Sequence, residues 1–130
     1  MKTPLFEVKD VDRRFYAEKL EKFLPKKIID IHTHVWRQSD FRKGTQLDSA
    51  EKIVSWPGRV AQDSPIEELL ETYRLMMPGK QVTPLIFPTT PQAGNIAPQN
   101  RYAAQCVRRH HVPGLVWSDP KWDAKELERQ

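Results

Sequence analysis

The chain has 130 residues, 38% of them hydrophobic and 29% charged, with 21 Lys and Arg against 17 Asp and Glu and a formal charge of +4. That length suits one ordinary domain. Interspersed charges argue against the concentrated basic stripe of a nucleic-acid binder, and the single cysteine, Cys106, excludes an intrachain disulfide. No stretch approaches the ~18 apolar residues of a membrane span, and Met1 to Asp10 lack the apolar run of a secretory signal. The expectation is a cytoplasmic protein with neither nucleic acid nor membrane as partner.

Residues 1 to 9 read as an irregular arm. Asp10 or Asp12 can cap a helix running to about Leu24, with Val11, Phe15, Leu20, Phe23 and Leu24 as its apolar stripe and Pro25 as its stop. A strand follows from about Lys27 to His32. Residues 35 to 62 form a long connection holding Trp36, Trp56 and Arg59, and a loop of that length is often functional. Ser64 is an N-cap for the next helix, with Pro65 at its first position and Glu67 completing a capping box. Ile66, Leu69, Leu70, Tyr73, Met76 and Met77 mark its inner face, and Pro78-Gly79 ends it. The second strand spans Gln81 to Phe87, although Pro84 is awkward inside a central strand and places its start later. A Pro-rich connection leads to a helix from about Ala97 to His110, with Tyr102, Ala103, Cys106, Val107 and His110 on one side. Cys106 there reads as a small buried hydrophobe. Arg108-Arg109-His110-His111 is a run of cations suited to a helix C-terminus. Val112 to Trp117 gives a third strand, and Asp123 caps a last helix beginning at Ala124. Alternation of this kind implies βαβ units and a parallel sheet.

The stretch Ile28-Ile29-Asp30-Ile31-His32-Thr33-His34 carries the chemistry. Side chains alternate along a strand, so His32 and His34 share a face and form a ready pair of metal donors. Neutral imidazole suits Zn, Fe, Ni and Cu. A bare His-x-His also occurs incidentally at strand edges. The Ile-rich lead-in suggests instead a strand apolar on both faces, as in a covered parallel sheet whose active site lies at the strand C-termini. Asp30, two residues before His32, reads either as a carboxylate that orients an imidazole or as an aspartate bonded to the backbone.

Residues 23 to 36, from Phe23 through the His-x-His to Trp36, resemble the first barrel strand of the amidohydrolase superfamily, in the branch of metal-dependent amidohydrolases and related decarboxylases. The order of downstream elements is similar across the whole chain. The resemblance implies an α/β fold, a partial (β/α)8 TIM barrel: residues 1–26 would be an N-terminal arm and helix, and residues 27–130 the first three βα units of a longer protein. It also implies a divalent metal, Zn2+ foremost, held by His32 and His34. In that family the remaining ligands follow strands five, six and eight, beyond these three units. His110 and His111 precede the third strand and are poor substitutes. Trp36, Trp56, Arg59 and Asp119 are candidate pocket residues for a small-molecule substrate, against readings as packing anchors, a solvated arginine and an ordinary turn. The activity implied is hydrolysis of C–N or C–O bonds by metal-activated water, with no turnover from the 130-residue chain by itself. The alternatives are a nonoxidative decarboxylase and a truncated, non-catalytic association module that covers its open sheet edges by forming a homodimer.

Overall fold

The structure, a computed structural model, describes residues 7–41, 63–89 and 96–129. The first helix, α1 (Asp10–Phe15), continues as a π-helical turn over Tyr16–Leu20, so regular helix stops short of Leu24. Asp12 serves its start by accepting the Lys9 N–H (2.9 Å). Lys80 closes the far end, its Nζ donating to the carbonyls of Glu21 and Leu24. The Tyr16 hydroxyl donates to the Pro78 carbonyl at 2.8 Å and fixes α1 beside the turn at Gly79.

Strand β1 (Lys27–Val35) pairs in parallel with β2 (Gln81–Pro88), and helix α2 (Ile66–Met76) makes the crossover. Ser64 does not cap α2. Its backbone instead exchanges two 3.0 Å hydrogen bonds with Trp36, and Pro65 takes the N-cap position without a side-chain bond. The Ile66 N–H, orphaned by the start of the helix, donates to the Tyr102 hydroxyl (3.2 Å) on α3 (Ile96–His110).

Pro84 lies inside β2, opposite Asp30. It is tolerated because N–H and C=O groups alternate sides along a strand. Gln81 donates toward β1, to Lys26, whereas Ile86 bonds outward, to Pro113 and Leu115. Pro84 has the parity of Ile86, so its missing donor faces away from β1 and costs no bond of that ladder.

Val35, Ile66, Ile86, Tyr102 and Cys106 form the core, flanked by Leu69, Leu70, Val107 and Val112. Both α2 and α3 therefore cover the same sheet face. Cys106 sits in that core as the sequence suggests, and burial pushes its thiol pKa up. Ile29 and Ile31, 70% and 72% exposed, show that β1 is not covered on both sides.

The partial (β/α)8 TIM barrel is not what forms. The chain is a small α/β domain with a two-stranded parallel sheet and four α-helices among the described residues, the last being α4 (Ala124–Arg129). The segment expected as a third strand joins β2 only through one parallel bridge, Ile86 to Gly114. Two causes are visible. Pro113 brings no N–H, and Asn100 of α3 captures the backbone of Trp117, its Nδ2 donating to the Trp117 carbonyl (2.8 Å) and its Oδ1 accepting the Trp117 N–H (3.0 Å). Those two backbone groups are then spent on a helix side chain rather than on a ladder. Asp123 Oδ1 accepts the Glu126 N–H (2.9 Å) and caps α4.

Candidate functional site

The His-x-His end of β1 is reached through a β-bulge. Asp30 lies opposite Pro84 and Thr33 opposite Ile86, so three steps on β1 match two on β2. The extra residue breaks the strict alternation that places Asp30 and His32 on one face. Asp30, Thr33 and Val35 turn toward the helices, as do their partners Pro84, Ile86 and Pro88, all three buried. His34, opposite Phe87, and His32 turn to the other face. Their rings meet there, 5.3 Å apart between centroids, and both lie edge-on to Phe87, at 5.2 Å for His32 and 4.4 Å for His34.

The bulge leaves backbone groups out of the ladder, and side chains take them up. Asp30 Oδ1 accepts the His32 N–H (3.1 Å), and Oδ2 accepts the Tyr73 hydroxyl (2.8 Å). The Thr33 hydroxyl donates to the Leu85 carbonyl (2.9 Å). Asp30 thus acts on the main chain of His32, not on its ring. Tyr73 is held protonated, its pKa raised by burial first and by the Asp30 carboxylate second.

His34 is half-buried, and its Nδ1 lies 2.9 Å from the Pro88 carbonyl. A carbonyl only accepts, so this contact fixes the proton on Nδ1 and leaves the Nε2 lone pair free. Burial lowers the His34 pKa, the Pro88 hydrogen bond partly opposes this, and the neighbouring His32 lowers it further. The neutral, metal-ready form is thereby favoured. The Pro88 carbonyl also accepts from Trp117 Nε1 (3.2 Å), which reaches the Thr89 carbonyl at 2.7 Å.

The ring separation is that of an ordinary edge-to-face pair, and it also matches in distance two imidazoles on one ion. With Zn–N near 2.0–2.1 Å and a ring half-width of ~1.1 Å, a tetrahedral angle would put two bound imidazole centroids ~5.2 Å apart. The pair measures 5.3 Å. Among the described residues no group of three or more His, Cys, Asp or Glu is positioned to hold a metal, so His32 and His34 stand as two donors without a third.

The remaining candidates disperse. Trp36 bridges to Ser64 by backbone bonds, beside the start of α2. Asp119 forms a turn, its Oδ1 accepting the Lys121 N–H (2.9 Å). Trp56 and Arg59 lie outside the described residues. His110 approaches Glu67 (3.6 Å) at the end of α3, in a cleft of ≈ 420 Å³ that Arg37, Tyr102, Cys106 and Arg109 also line and that holds neither histidine of the pair. Sequence reasoning missed Tyr73, Thr33, Phe87 and the Pro88 carbonyl. All four reach the pair through a register shift or from distant elements, which no local pattern encodes.

No protein-family model matches this sequence, and neither a curated protein nor a solved structure matches the chain. No described helix is long and apolar enough to cross a membrane.

Proposed function

We propose that His32 and His34 are two ligands of a divalent-metal site, with Zn2+ the best-suited ion, in a hydrolase of the amidohydrolase kind acting on C–N or C–O bonds of a small molecule. One observation carries this reading: the imidazole pair sits at a spacing that fits one tetrahedral ion, with His34 Nδ1 tied to a backbone carbonyl so that Nε2 is free. A fixed outer nitrogen of this type is the usual companion of a ligating histidine. The reading rests on the pair and not on a barrel. When bound, such an ion lowers the pKa of its water toward neutrality and supplies a nucleophile. The chain's own part is to present two imidazoles on a preformed strand end.

Two donors among the described residues fall short of the three protein ligands common in hydrolytic zinc sites. The 130-residue chain is therefore expected to bind metal without turnover. A longer protein that contains it is expected to hydrolyse amides or esters, and to lose that activity with a chelator and with His32→Ala. Hydrolysis indifferent to both would contradict the proposal.

Exposed Ile29 and Ile31 favour a second reading, self-association through the sheet face that the helices leave open. Under it, sedimentation velocity shows a dimer that Ile29→Lys dissociates. A monomer at all accessible concentrations removes that reading.

A further inference from the structure

A metal site needs its ligands held in place as well as present, and the bulge raises the question of what holds His32. In a regular strand the His32 N–H would belong to the ladder. Here it belongs to Asp30 Oδ1 (3.1 Å), and the other carboxylate oxygen is engaged by the Tyr73 hydroxyl (2.8 Å). Tyr73 projects from α2, is buried, and spends its hydroxyl on Asp30 rather than on an imidazole. Asp30, by contrast, is only half-buried, and its carboxylate would have several rotamers open to it on a strand without that partner. The register either side of the bulge is held separately, by the Thr33 hydroxyl on the Leu85 carbonyl. One face of the network thus keeps the bulge closed, and the other sets the backbone of a single ligand.

We infer that Tyr73 is a positioning residue for the metal pair: through Asp30 it fixes the main chain of His32 at the bulge. This rests on the metal reading given above. It assigns a role to a helix residue 43 positions from Asp30 in sequence and on the opposite side of the sheet from the imidazoles. Without the brace, the Asp30 carboxylate is free to leave the His32 N–H, and the main chain that carries this ligand is no longer held.

The test is Zn2+ affinity by calorimetric titration of the wild-type chain, Tyr73→Phe, Asp30→Ala and Asp30→Asn, read beside each protein's thermal midpoint and the amide proton shift of His32. Losing a partner outside the ligand shell weakens metal binding about 10–100-fold. That loss is expected for Tyr73→Phe and Asp30→Ala, together with a moved His32 amide signal. Asp30→Asn keeps an oxygen for the His32 N–H and an amide that can donate to the Tyr73 oxygen. It is expected to bind within about threefold of wild type, a margin well under the loss a missing outer partner causes. That rescue separates the brace from a simple charge effect, under which Asp30→Asn and Asp30→Ala would weaken binding alike. Tyr73→Phe that lowers the midpoint while leaving affinity and the His32 signal unchanged would overturn the inference and leave the metal reading standing. Wild type that binds no Zn2+ would overturn both. Should Asp30→Ala fail to fold, Tyr73→Phe, which removes one oxygen only, decides the matter.

Discussion

Asn100→Ala tests why the third segment stays out of the sheet. The Asn100 side chain is fully buried and makes two hydrogen bonds to the Trp117 backbone, at 2.8 and 3.0 Å. Each such bond contributes about 1 kcal/mol net, and a backbone group left unpaired away from water costs a further ~1–3 kcal/mol. Trp117 is partly exposed, so water can reach at least one of its freed groups, and the penalty falls toward the lower end. The expected destabilisation is about 2–3 kcal/mol. Urea unfolding followed by circular dichroism reads the stability. Hydrogen exchange at the Trp117 amide reads the local bond and should accelerate well beyond the global change. A loss below about 0.5 kcal/mol, within the range of a neutral surface substitution, would refute the reasoning. So would an unchanged Trp117 exchange rate.

Other consequences are equally open to measurement. A Cβ on Gly114 would stand 2.5 Å from Val107 Cγ2, so Gly114→Ala should destabilise by about 1–3 kcal/mol in thermal unfolding, with Val107→Ala recovering part of the loss in the double variant. Ile86 is fully buried in the core cluster with Val35 and Tyr102, and Ile86→Ala should cost about 2–5 kcal/mol in the same assay. The folded-state pKa of His34 lies below its ordinary value of 6.5. The folded chain therefore binds fewer protons there than the unfolded chain. This contribution to metal-free stability is full above pH 6.5 and fades as pH falls through the depressed value. Unfolding in EDTA across that range should show the slope, and His34→Gln should flatten it.

How much of this was legible in the sequence depends on how local the cause is. The face of α3 that buries Tyr102, Ala103 and Cys106 follows from helical spacing, and the cap of α4 by Asp123 follows from residue type. The apolar run into His32-Thr33-His34 marks the strand and puts the two histidines on one face. The bulge could not be read there, because its stability comes from Tyr73 on α2 and from the Leu85 carbonyl on β2. Strict alternation therefore put Asp30 with His32 when the chain turns them apart. The barrel failed for a similar reason. Val112 to Trp117 has strand-like composition, but a buried asparagine on the preceding helix takes the Trp117 backbone. The capping box at Ser64 and Glu67 lost to a backbone bridge with Trp36, and the Tyr102 hydroxyl supplied what the cap would have given.

The central claim is that one ion is shared by His32 and His34. Zn2+ titration of the chelator-stripped protein, followed by imidazole 15N spectra, tests it most directly. The account predicts that metal shifts signals of both histidines, that the Nδ1 of His34 stays protonated while its Nε2 is ligated, and that either single alanine variant weakens binding by about tenfold or more. Binding that survives in the double variant His32→Ala, His34→Ala, or metal that leaves both imidazoles unshifted, would contradict it.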